Sequence, residues 1–140
     1  MVGRGLSERI VRARLTVPRV TLPAVPVTFR VDVGGVVLLR QTRVIIPQGH
    51  AGLTGFRVDY SGTTILPYSG QVSVTDFAGT QNWLTGNDAD WLFDTGDIEI
   101  GRFLDLYGFN NDGANHVFEV HFAVRDKPIP SDSTSRLGAI

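Results

Sequence analysis

From His116 to Arg125 the chain runs HVFEVHFAVR, with His116, Phe118, Val120, Phe122 and Val124 on one parity and Val117, Glu119, His121 and Arg125 on the other. A period of two sends alternate side chains to opposite faces of a strand, and a helix cannot turn such a pattern into one buried stripe. Shorter stretches repeat the signal: Phe29, Val31 and Val33 around Arg30 and Asp32; Phe56, Val58 and Tyr60 around Arg57 and Asp59; Leu104 and Leu106 between Phe103, Asp105 and Tyr107. Sixteen glycines and seven prolines cut these stretches apart at turns. One hundred and forty residues suffice for one core, so the pattern predicts a single all-β domain. Its expected form is an antiparallel β-sandwich, jelly-roll-like, of eight or nine short strands.

The firmest local expectation is a hairpin over 28–46, turned by Gly34-Gly35, whose positive φ angles suit a tight loop. A glycine loop, PQGHAGLTG, leads to a strand from Phe56 to Tyr60, and further strands are expected at Thr63–Leu66, Gln71–Thr75 and Gln81–Leu84. Between Gly86 and Asp97 the segment GNDADWLFDTGD is expected to be an acidic loop, with Trp83, Asp88, Asp90 and Trp91 as candidate ligand or partner residues. Ser7-Glu8-Arg9-Ile10 allows one short helical turn. Three prolines at 18, 23 and 26 forbid a continuous helix over 16–27 and leave five apolar side chains, Val17 to Val27, needing cover. Residues 1–27 are therefore expected to be an extended arm, 28–126 the sandwich domain, and the proline- and serine-rich 127–140 a C-terminal tail ordered by a partner.

Charge divides the chain. Residues 1–43 hold eight arginines against Glu8 and Asp32, a net +6, while the other 97 residues hold five basic and twelve acidic side chains, a net −7. A basic arm can bind nucleic acid, but this one has no aromatic residue before Phe29 to stack on a base, which disfavours nucleic acid as a partner. The preferred expectation places the arm of one copy on the acidic body of the next, with Arg9, Arg12, Arg14, Val17, Val20 and Leu22 as its contact residues.

No cysteine is present, so disulfides, thiolate catalysis and Cys-zinc sites are excluded. No apolar run is long enough to span a bilayer, and the start lacks the apolar core of a secretory signal; no membrane partner is expected. His116 and His121 are five apart on one strand and point to opposite faces, so they cannot share an ion. His50 and His116 are expected to be hydrogen-bonded structural groups, with no metal and no cofactor. The carboxylates after Asn87 begin like a calcium loop, but Leu92 and Phe93 stand where a ligand and a glycine are needed, so turn capping by Asp and Asn is the ordinary explanation and a looser calcium site the alternative. The chain holds no GxSxG elbow and no phosphate-binding glycine motif, and no catalytic residue is assigned: an enzyme is not expected. Trp83, Trp91 and Tyr107 beside Asn and Asp keep a carbohydrate-binding module open as the alternative.

The run PQGHAGLTGFRV at 47–58, ILP at 65–67, a tryptophan segment before an acidic stretch, and YGFNNDGANHVFEVHFAV at 107–124 together resemble small β-sandwich virion proteins of tailed bacteriophages. Pro47, Gly49, His50, Gly52, Asn110, Asp112 and His116 carry the most specific part of that resemblance, as structural loop residues. It implies a protein of the head surface, the head-to-tail joint or the tail, whose partners are copies of itself and other virion proteins.

Overall fold

The computed structural model describes residues 8–67, 74–75 and 82–127. Among them are ten strands and no helix: β1 (Glu8–Val17), β2 (Val27–Asp32), β3 (Val37–Ile46), β4 (Thr54–Tyr60), β5 (Thr63–Leu66), β6 (Val74–Thr75), β7 (Asn82–Trp83), β8 (Ala89–Ile100), β9 (Phe103–Asn110) and β10 (His116–Asp126). One sheet has the order β1-β10-β3-β8, the other β2-β9-β4-β5, and β6 pairs with β7. All pairings are antiparallel. The chain is an all-β sandwich, as the alternation requires.

The core lies between the sheets. Phe118, Val120, Phe122 and Val124 of β10 and Val37, Leu39, Val44 and Ile46 of β3 face Phe56, Val58, Leu104 and Leu106 of the other sheet, all essentially without exposure. Each such side chain contributes about 1.5–3 kcal/mol of burial. Thr42 and Thr95 enter the same layer, and Thr95 Oγ1 donates to Leu39 O at 2.9 Å, closing the ladder where the β3–β8 register shifts between Leu39 and Gln41. The C-terminal residues 128–140 and the expected strand start at Gln71 lie outside the described residues.

Three expectations are corrected. Val27–Asp32 and Val37–Ile46 are strands, but they lie in different sheets and do not pair as a hairpin. Val31 and Val33 before the turn and Val37 and Leu39 after it are all buried, and they are covered by facing one another across the core. Gly34 and Gly35 do take positive φ, 90° and 136°, and Asp32 accepts the Gly34 amide at 2.8 Å, so the predicted turn chemistry serves an arch between sheets.

Residues 8–17 are not an arm or a helical turn. They form β1, in ten-residue register with β10 from Glu8↔Arg125 to Val17↔His116. Val11, Ala13, Leu15 and Val17 alternate inward, and Leu15 and Val17 are core residues. Gly108 of β9 makes room for them, since a Cβ there would stand 2.7 Å from Val17 Cγ2 and 2.9 Å from Leu15 Cδ2. Val17 is thus covered by its own chain. The acidic stretch is likewise no loop: residues 89–100 are β8, the longest strand.

Candidate functional site

The glycine loop, the 110–116 loop and the strap 18–26 meet at one end of the sandwich. Asn110 is their hub. Fully buried, it donates from Nδ2 to Val17 O at 3.1 Å and Ala114 O at 2.7 Å, and its Oδ1 accepts the Asp112 amide at 2.8 Å. Its backbone exchanges hydrogen bonds with Thr21, and the Val20 amide donates to Asp112 O. His50 is buried below, with Nδ1 2.6 Å from Thr54 Oγ1 and Nε2 3.0 Å from Val117 O. His116 Nε2 lies 2.7 Å from Asp112 Oδ2, and the two imidazoles approach to 4.4 Å between centroids.

Each ring nitrogen's position has a physical consequence. Burial first, then the neighbouring His116, lowers the His50 pKa, so His50 is held neutral. The His116 hydrogen bond and the Gly113 amide lower Asp112. Asn87 Oδ1 caps the glycine loop, accepting the amides of Gly49 and Ala51 at 2.8 and 2.9 Å. Gly49 and Gly52 take positive φ of 109° and 73°, and Pro47 O accepts the Asp88 amide at 3.4 Å. The cluster is closed and self-satisfied, with Thr54 and Asn110 unexposed, so its polar atoms serve one another.

What this hub presents is apolar. The strap it pins turns at Val20 (φ 56°) and exposes Val20 by 67%, Leu22 by 56% and Val25 by 74%. Val20 and Leu22, predicted contact residues, are therefore on the surface, and Val17 is not.

Many of the charges behind the expected exchange between copies also pair within the chain. Arg9 reaches Asp126 at 3.4 Å, Arg14 Glu119 at 3.8 Å, Arg30 Asp105 at 2.9 Å, Arg40 both Glu8 and Asp97 at 2.8 and 3.2 Å, and Arg43 Asp90 through Nε at 2.8 Å. The sandwich interleaves early and late strands, so the basic front and acidic back are neighbours within both sheets. Most of the +6 is answered there. Among the described residues Arg12 and Arg19 have no carboxylate partner.

The acidic residues find partners too. Asp90 is lowered chiefly by its Arg43 hydrogen bond and Asp32 chiefly by Arg102. Among the described residues no three His, Asp or Glu side chains gather as metal ligands. No helix among them is long and apolar enough to cross a membrane.

The proposed sugar platform does not form. Trp83 is fully buried, edge-on to Phe109 at 4.9 Å, and covers Arg57, whose guanidinium lies 4.6 Å from the Trp83 ring and 4.2 Å from that of Tyr107. Arg57 Nε donates to Asp59 at 3.2 Å, and this pair, on the face opposite Phe56 and Val58, is buried as well. Trp91 turns in toward the core. Phe29 and Phe103 are the exposed rings among the described residues, and Phe103 lies between Arg30 and Arg102 at the mouth of a hollow of about 390 Å³ that also includes Tyr60 and Asp105.

No protein-family model matches the chain, and comparison with curated proteins returns no relative. Among solved structures the chain is similar to the serine protease of Aeromonas sobria, at 8% identity and a TM-score of 0.49, over 87% of this chain and 27% of that one. The chain thus spans about a quarter of the length of the structure it matches. That neighbour is an enzyme by name, so the expectation that this chain is not one is withdrawn; a likeness of this depth assigns it no activity and no site.

Proposed function

We propose that the protein is a structural building block of a virion, assembling with copies of itself and with other structural proteins of a tailed bacteriophage particle. The observation that carries the reading is the strap. Its backbone is fastened by Asn110, Asp112 and Asn115, the last accepting the Arg19 amide at 2.9 Å, while Val20, Leu22 and Val25 are held outward. Apolar side chains fixed in place on a surface suit a partner that docks on a rigid ridge. The resemblance of the 47–58 and 107–124 segments supports the same reading, because those segments build the hub that fixes the strap. A sandwich also leaves strand edges that assembly can use.

Sedimentation velocity of the full chain, from micromolar to millimolar, tests this. Association rising with concentration, and weakened by Val25→Asp, is expected. A chain that stays monomeric throughout, with Val25→Asp indistinguishable from it, overturns the proposal.

A further inference from the structure

The first sheet ends in two long edge strands of opposite charge. β1 carries Arg9, Arg12 and Arg14 against Glu8; β8 carries Asp90, Asp94, Asp97 and Glu99 with no basic residue. Since neighbours in the order β1-β10-β3-β8 all run antiparallel, β1 and β8 run in opposite directions. A second copy in the same orientation can therefore set its β1 beside this β8 and continue the sheet.

The side chains fit that continuation. Arg12, His121, Arg43 and Leu92 form one row across the sheet through the pairs Arg12↔His121, His121↔Arg43 and Arg43↔Leu92. Ile10, Arg12, Arg14, Asp90, Leu92 and Asp94 are exposed, on the outer face, with Ile10 at 50% and Leu92 at 63%. Extending the row by one copy sets Asp90 opposite Arg14, Leu92 opposite Arg12 and Asp94 opposite Ile10. Diagonal neighbours two residues along lie about 7–8 Å apart, within reach of long side chains, which puts Arg12 between Asp90 and Asp94 and Leu92 beside Ile10. Among the described residues Arg12 has no carboxylate partner and Asp94 accepts the Gly96 amide, at 3.0 Å, but meets no basic side chain.

We propose that copies of this chain join head to tail by antiparallel pairing of β8 with the β1 of the next copy. This rests on the building-block reading and names its interface. The same charges oppose symmetric pairing of β1 with β1 or β8 with β8, so the contact is heterologous and propagates into a ring or a filament. The second sheet offers no such match: its edges β2 and β5 carry one Arg and one Asp between them.

The test uses full chains in sedimentation velocity. Arg12→Glu with Arg14→Glu on one chain, and Asp90→Lys with Asp94→Lys on another, should each weaken self-association at least tenfold, with thermal midpoints lowered only by the loss of the exposed Arg14–Glu119 and Arg43–Asp90 pairs. Mixing the two variants restores complementarity at both kinds of junction and should restore association. Leu92→Lys, at a position with no internal role, should act like the acidic-edge variant. If wild type associates and all three variants associate equally well, the edge interface is wrong and the building-block reading stands. A monomeric wild type instead removes both.

Discussion

Asn110→Ala is the substitution on which the hub depends most. It deletes two donors and one acceptor from a fully buried side chain and leaves the Val17 and Ala114 carbonyls and the Asp112 amide without their partner. Ala114 is exposed and water can replace its bond, so that loss is small. Val17 is buried, and an unmet buried carbonyl costs about 1–3 kcal/mol. With a further ~0.5–1 kcal/mol for each of the other two bonds, the expected destabilisation is about 3 kcal/mol. For a chain of this length that lowers the thermal midpoint by about 10 °C. Urea unfolding should show a lower midpoint at unchanged slope, since the exposed surface is the same. Asn111, exposed and adjacent, is the control: Asn111→Ala should fall within about 0.5 kcal/mol of wild type. An Asn110→Ala protein as stable as the control would refute the hub.

Removing residues 1–17 should abolish cooperative unfolding, because β1 supplies Leu15 and Val17 to the core; a truncated chain that keeps its thermal transition would restore the arm picture. Arg57→Ala should cost about 3 kcal/mol by leaving buried Asp59, among the described residues, with the Thr64 hydroxyl as its remaining side-chain partner, and Arg57→Lys should not rescue it, since an ammonium cannot lie flat between Trp83 and Tyr107. Acid should destabilise the fold in two steps read from thermal midpoints across pH. The unfolded chain protonates its histidine below about pH 6.5 while buried His50 resists, so stability falls from there downward, and His50→Gln should flatten that slope. Asp112, whose folded pKa is depressed, contributes stability above its unfolded value of about 3.9 that is lost as pH falls through its folded one.

Strand parity was legible wherever one face was wholly apolar, as in β4, β9 and β10, and β5 falls at Thr63–Leu66 as read. β1 was hidden because its inward series, Val11, Ala13, Leu15 and Val17, begins with Arg9, whose guanidinium donates to Val33 O at 2.7 Å from the same side. β8 was hidden by its acids, which read as a loop until Arg40, Arg43 and Arg125 are seen beside them. Pairing is a long-range property: nothing local to Gly34-Gly35 distinguishes a hairpin from an arch, and the choice falls to the inward valines on both sides. For the same reason the sequence alone does not show that much of the charge on the +6 and −7 segments is paired within each sheet of a single chain. His50 and His116 lie together with hydrogen-bond partners, but the span from Asn87 to the glycine loop, the place of Thr54 and the burial of the Arg57–Asp59 pair gave no local signal. Their surroundings are set by distant residues: Gly49 lies 38 residues before Asn87, and Arg57 is sandwiched by Trp83 and Tyr107 from much later in the chain.

Residue-resolved amide hydrogen exchange at low and high protein concentration tests the assembly account most directly. Raising the concentration should slow exchange at alternate amides of both β1 and β8, the free-edge donors that a neighbouring copy would engage, and leave β2 and β5 unchanged. Protection that appears on β2 or β5 instead, or none on β1 and β8 in a sample that sediments as an oligomer, would contradict it.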